Sequence, residues 1–407
     1  MFFVQINHTG KRFLFLIFRE IKLRKYSSLH KLFYGLDWAQ RKLGDNITVS
    51  KIKNKKNNHF IPYSISNKWG FIPQEKQFGE GNAYSKTNKA TNYIVEPNAF
   101  AYNPARINVG SIAYQNNQFP VIVSSLYEIF KTKKNLNDKF LMNWFKTEKF
   151  TRQIQKLQEG GVRQYFFIDK MQESRITIPS ISEQEEISKA LDQINNLINL
   201  QQRKAKQLKL LKKAMLQMLY TKEYIPSLRF MEFSTKWNLV KLGDVTYRYD
   251  NLRQPVIASQ RTHGKIPYYG ANGIQDHVDG YTHKGKFLLI AEDGANDIHN
   301  YPVKYVDGKI WVNNHAHVIQ SMPDKVDDIF LLNAIKIINM QPYLVGGSRA
   351  KLNADVMNKI PIKLPTLQEQ KDIGSLAYHL DKLIKLCLSK NSQLQSAKQF
   401  LLQNMFI

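Results

Sequence analysis

Two stretches of the chain place mainly apolar residues at alternating steps of three and four. The first runs Ile187, Leu191, Ile194, Ile198, Gln201, Ala205, Leu208, Lys212, Met215, Leu219. The second runs Ile373, Ala377, Leu380, Ile384, Cys387, Asn391, Leu394, Lys398, Leu401, Met405. This is a heptad stripe and predicts two long helices. A proline followed by Ser180-x-x-Glu183 or Thr366-x-x-Glu369 marks where each begins. Such a capping box satisfies the free N–H groups of a first turn, and the proline stops backward extension. A helix of about 35 residues is roughly 50 Å long. Two equal stripes are natural partners, so an antiparallel coiled coil is expected. The other arrangement would pack each stripe on its own neighbouring block.

Outside the two long helices the pattern changes. Short apolar runs (Tyr93 to Val95, Val121 to Val123, Leu288 to Ala291, Ile310 to Val312) alternate with Asn, Gly and Pro turns and predict strands. Helical periodicity covers Asp138 to Lys156 and Ile329 to Ile338. Mixed strands and helices without regular alternation indicate an α+β fold. The partition is a basic extension at 1–35, a first block at 36–178, a helix at 179–222, a second block at 223–363 and a helix at 364–407.

The chain also repeats itself. Gly160-Gly-Val-Arg163, Asp169, Met171 and Ile176-x-x-Pro179-x-x-x-Glu183-Gln184-x-x-Ile187 return as Gly346-Gly-Ser-Arg349, Asp355, Met357 and Ile362-x-x-Pro365-x-x-x-Glu369-Gln370-x-x-Ile373. Spacing is kept throughout. Trp38 with Lys42-Leu-Gly-Asp45 echoes Trp237 with Lys241-Leu-Gly-Asp244. A repeat this long means two duplicated domains and a pseudo-twofold molecule.

Composition narrows the partner. With 407 residues, 43% of them hydrophobic, the chain can bury sizeable cores. The formal charge is +26, which calls for a polyanion, nucleic acid in preference to an anionic membrane. Cys387 is the single cysteine, so no internal disulfide or cysteine-based metal site forms, and a cytoplasmic location fits. No apolar run approaches the ~20 residues that span a bilayer.

Catalytic motifs fail on their chemistry. Gly280 to Phe287 nearly spells a phosphate loop, but Phe287 stands where Ser or Thr must hold Mg²⁺. His315-Ala-His317 is by itself too little to hold a metal ion, and Asp293, Asp297 and His299 read as a turn. No catalytic residue, metal site or cofactor site is expected in this chain.

DNA-reading chemistry has better candidates. Arg pairs with guanine, and Asn or Gln with adenine, through two hydrogen bonds each. Block one offers Tyr102, Asn103, Arg106 and Asn108. Block two offers Tyr268, Tyr269 and Asn272. The repeated turn adds Arg163 and Arg349, with Lys351 beside the latter. Arg203, Lys204, Lys206, Lys209 and Lys213 form a basic stripe on the first long helix. The candidate helix-pairing residues are Ile187, Leu191, Ile194, Ile198, Leu208, Met215, Ile373, Leu380, Ile384, Leu394 and Leu401.

These motifs resemble the specificity subunit of type I restriction–modification enzymes. The resemblance rests on the doubled Gly-Gly-x-Arg, the doubled Pro-x-x-x-Glu-Gln helix start, the Trp…Lys-Leu-Gly-Asp block starts, Phe100 to Ala113 and Tyr269 to Gly273. It covers nearly everything from residue 36 onward. It implies two target recognition domains, each reading half of a split double-stranded DNA site. The helices would be the spacer that sets the gap. Two methyltransferase subunits and motor-nuclease subunits would be the partners. S-adenosylmethionine, ATP and Mg²⁺ would belong to those partners. A free-standing two-domain DNA-binding protein is the other reading.

Overall fold

The computed structural model describes residues 38–56, 58–79, 89–220, 224–347 and 349–406. The extension at 1–35 lies outside the described residues. The chain divides into two compact units. One takes the residues up to Leu200 together with those from Lys390 onward, and the other runs from Gln201 to Ser389. The division falls inside the two long helices, Ile181–Leu219 and Leu367–Asn404, rather than at the block boundaries.

In the first unit a four-stranded sheet has the order Ile47–Val49, Glu128–Thr132, Phe100–Tyr102, Ile112–Tyr114. Two-stranded sheets join Tyr63–Ser66 to Gly70–Pro73 and Tyr93–Val95 to Val121–Val123. The expected helix over Asp138 to Lys156 is broken in two, Asp138–Trp144 and Glu148–Leu157. Thr147 causes the break: its hydroxyl donates to the Trp144 carbonyl and accepts from the Phe150 amide, capping a new helix.

In the second unit a six-stranded sheet has the order Thr246–Arg248, Ala316–Ser321, His283–Ala291, Val303–Val312, His263–Gly270, Gly273–Val278. The helix expected at Ile329 to Ile338 is Asp328–Lys336, with Asp327 accepting from the Ile329 and Phe330 amides. Gly280 to Phe287 runs into the strand His283–Ala291, and no phosphate-binding helix follows.

What repeats in the sequence is one scaffold built twice. Ala39–Lys42 pairs antiparallel with Arg175–Ile178, and Asn238–Lys241 pairs identically with Pro361–Leu364. Each block's start is thereby stitched to its end, two residues before a long helix begins. The glycine of each Lys-Leu-Gly-Asp lies under a short helix. A Cβ at Gly44 would come within 2.9 Å of Gln172 Cβ, and one at Gly243 within 3.0 Å of Asn358 Cβ.

The helix starts differ from the expected capping box in one respect. Ser180 and Thr366 do accept the Glu183 and Glu369 amides. The glutamates are engaged elsewhere. Glu183 accepts from Trp38 Nε1 at 3.0 Å, and Glu369 takes a two-pronged bond from Arg229 with both distances 2.8 Å. The adjoining glutamines are buried clamps. Gln184 accepts from the Asn137 amide and donates to the Asn135 and Pro179 carbonyls. Gln370 does the same with the Asp327 amide and the Lys325 and Pro365 carbonyls.

Each unit holds the start of one helix against the end of the other. In the first unit Ile187, Leu191, Ile194 and Ile198 share a core with Leu394, Leu401 and Phe406. In the second, Leu219 and Tyr220 share a core with Ile373, and Lys212 pairs with Asp381 at 2.6 Å. The antiparallel sense is the expected one, and the packing of each helix start on its own block occurs together with it. Leu380 and Ile384 are buried, while Leu208 and Met215 are half-buried. Each helix end closes a core with an aromatic ring. Phe406 lies 4.9 Å from Phe140, and Tyr220 lies 4.9 Å from Phe330.

Candidate nucleic-acid interface

In the first unit the polar candidates converge. After helix Glu148–Leu157 the chain makes a loop closed by a Glu159–Tyr165 backbone pair, with bonds of 2.9 and 2.7 Å. Gly160 takes φ +116°, and a Cβ there would strike the Arg163 carbonyl at 2.3 Å, so only glycine closes this turn without strain. The Phe166 amide donates to the Pro104 carbonyl, which pins the loop beside residues 103–108. The result is a polar groove of about 600 Å³ lined by Asn103, Arg106, Asn108, Arg163, Gln164 and Tyr165, among others. Arg106, Asn108 and Arg163 are exposed; Asn103 is half-buried and uses Oδ1 on the Ala105 amide.

Tyr102 is a correction. It sits on the interior strand Phe100–Tyr102, fully buried, with its hydroxyl unpartnered and its pKa pushed up by burial and by Glu128 and Asp169. It is core and cannot reach DNA. Sequence reasoning missed Gln164 and Tyr165, although both directly follow the repeated turn.

In the second unit the corresponding turn meets three other loops at one end of the sheet. Arg349 Nη2 pairs ionically with Asp293 Oδ2 at 3.2 Å, and Asp293 Oδ1 lies 2.7 Å from His315 Nδ1. Asn272 donates to the Gly294 carbonyl and accepts from the Asn296 amide. Lys351 pairs with Glu292 at 3.0 Å, and Glu292 also holds Arg253 at 2.6 Å. Burial pulls the Glu292 carboxyl up, but Arg253 and Lys351 override it and hold it below the usual range. Asp250 behaves alike: burial is outweighed by hydrogen bonds from His317 and the Val318 amide. Asn272, Arg349 and Lys351 are therefore brought to one face.

Tyr268 and Tyr269 are corrections. Tyr268 is 1% exposed; its hydroxyl is bonded to the Val256 backbone and Arg261 stacks on its ring at 4.2 Å. Tyr269 packs with Phe287, Ile310 and Val312. Both lie on a sheet strand, not at the turn tip, and both are buried. Asp293 and His315 carry the cluster instead. In the sequence Asp293 reads as part of a turn and His315 has no evident partner, so spacing alone gave neither a place in the interface.

Elsewhere, Arg203, Lys204, Lys206, Lys209 and Lys213 are all exposed on the first long helix. Cys387 is buried at its seam position. No helix among the described residues is long and apolar enough to cross a membrane.

The geometry defines a class first: a duplicated scaffold that presents an arginine-bearing polar loop cluster in each half. The type I restriction modification DNA specificity domain matches twice, over residues 36–210 and 234–396. The chain belongs to that family. It is 44% identical over 145 residues to a Haemophilus influenzae chain named as type I restriction enzyme specificity subunit S.HindORF215P, a match covering 36% of this chain and 37% of that relative. It is 23% identical to the Methanocaldococcus jannaschii type I restriction enzyme MjaVIII specificity subunit, over 94% of this chain and 95% of that one. Its fold is similar to the crystal structure of the type I restriction–modification S subunit from M. genitalium, with TM-score 0.62 at 15% identity, covering 92% of this chain and 97% of that chain.

Proposed function

We propose that this chain is the sequence-reading subunit of a type I restriction–modification complex, and that it carries out no chemistry itself. Each unit reads one half of a split double-stranded DNA site. Methyltransferase subunits, two per chain to match the duplication, modify the site, and motor-nuclease subunits join them for restriction. S-adenosylmethionine resides in the former, ATP and Mg²⁺ in the latter. The long helices set the gap between half-sites. A cytoplasmic location belongs to the same proposal.

One observation carries the reading. The scaffold is the same twice, down to the Gln184 and Gln370 clamps, while the loop clusters it presents differ. Arg163 stands with Asn103, Arg106 and Asn108; Arg349 stands with Asp293, His315 and Asn272. A repeated frame with unlike polar faces suits recognition of two unlike half-sites. The charge of +26 supplies the phosphate attraction on which such binding depends.

The test is genome-wide methylation mapping in a host carrying this chain with its methyltransferase partners. A bipartite motif is expected, with Arg106→Ala and Asn108→Ala altering one half only. A continuous motif refutes the proposal. Tight, specific binding by the chain without partners would favour the free-standing DNA-binding protein.

A further inference from the structure

We propose that His315 reads a base edge, and that with Arg349 it selects adenine in the second half-site. The inference rests on the reading of this loop cluster as DNA-facing. Among the two histidines of Asn313-Asn-His-Ala-His317, only His315 keeps a ring nitrogen to offer. Both nitrogens of His317 are engaged, with Asp250 at 2.7 Å and the Leu352 carbonyl at 2.8 Å, and the side chain is 2% exposed. His315 is 33% exposed and uses Nδ1 on Asp293 at 2.7 Å. A carboxylate accepts, so the proton of this contact sits on Nδ1, and a ring carrying that single proton presents Nε2 as an acceptor. The Arg349 Nη2 atom also lies 3.4 Å from that Nδ1; the shorter carboxylate contact takes the Nδ1 proton, and Nη2 forms an ion pair with Asp293 Oδ2 at 3.2 Å.

One carboxylate therefore fixes two neighbours of opposite character. Arg349, with 64% of its side chain exposed, retains further donors, and His315 offers a lone pair. The backbone keeps the pair in place. The His315 amide donates to Asn313 Oδ1, and the Glu292 amide donates to the His315 carbonyl. A donor beside an acceptor complements adenine, whose major-groove edge sets N7 (acceptor) beside the N6 amino group (donor). Guanine offers two acceptors there, so O6 would face the His315 lone pair. Cytosine lacks the acceptor on the same base.

The experiment uses the complex with its methyltransferase partners and duplexes bearing the mapped site. Each adenine of the second half-site is replaced in turn by purine lacking the 6-amino group. At one position wild-type binding should weaken about tenfold, whereas His315→Phe should lose less than about twofold there because its acceptor is already gone. An equal loss in His315→Phe, a wild-type series that is flat at every position, or a second half-site without any A·T pair overturns the proposal. The wild-type series needs no variant, so misfolding of His315→Phe cannot decide it. Arg349→Ala separates the two readings. If it weakens the second half-site while the purine series is flat, only the role of His315 falls. If it leaves that half-site untouched, the DNA-facing assignment of the cluster falls.

Discussion

Replacing Gln370 by leucine tests whether the doubled glutamine is a clamp. Gln370 is 1% exposed, and its amide joins three backbone groups from two segments. It accepts from the Asp327 amide at 3.0 Å and donates to the Lys325 and Pro365 carbonyls at 3.2 and 3.0 Å. Leucine nearly fills the volume, so the loss is polar. Each buried group left without a partner costs about 1–3 kcal/mol, and three at the lower end give about 3 kcal/mol. At roughly 2–4 °C per kcal/mol for a unit of this size, the melting temperature should fall by about 6–12 °C. Gln370→Glu should be worse at neutral pH, because a carboxylate would face two carbonyls. Thermal unfolding gives the magnitude, and hydrogen exchange gives the place. Peptides spanning 325–335 should exchange faster, and those spanning 135–145 should not. A melting shift below about 1 °C, well under the cost of one orphaned group, or acceleration equal in both peptides, refutes the clamp.

Gly160→Ala must strain a turn at φ +116°, at a cost of about 1–3 kcal/mol, and should weaken reading of the first half-site only, seen by methylation mapping. Phe406→Ala removes a ring 4.9 Å from Phe140 and should destabilise the first unit by about 3–5 kcal/mol, measured as faster hydrogen exchange at 138–145 with 328–336 unchanged. Asp250 and Glu292 both have depressed folded pKa values. Their contribution is complete above the ordinary carboxylate range and is lost as pH falls from about 4 through the folded values. Melting temperature against pH should therefore drop on the acid side, less steeply in Asp250→Asn and Glu292→Gln.

The scaffold was legible because it is written in local signals. Proline, a capping residue and a heptad stripe declare a helix without reference to the rest of the chain. The repeat then supplied a second reading of each signal. Where the sequence misled, the determinant was distant. Glu183 and Glu369 have capping-box spacing, but Trp38 and Arg229, each more than a hundred residues away, take their carboxylates. The same distance hides the role of the helix ends. Tyr220 and Phe406 look like frayed termini, and each is a core residue of a block its own helix does not begin on.

The recognition faces were legible in kind but not in membership. Asn and Arg next to glycine turns did come to the surface, because those turns lie at the ends of strands or helices. The tyrosines did not, because in Phe100–Tyr102 and His263–Gly270 a ring two residues from a turn is already inside the sheet. Asp293 and His315 became significant only when strands His283–Ala291 and Ala316–Ser321 paired with Ala291 opposite Ala316. That register puts Glu292 opposite His315 with Asp293 one residue further, and Arg349 reaches Asp293 and His315 from the repeated turn. The repeat fixes where an arginine will stand, and the unrepeated loops determine what stands beside it. If the proposed function holds, half-site identity should follow those neighbours: exchanging the 292–296 and 313–315 loops with those of a relative should move the second half-site and leave the first as it is.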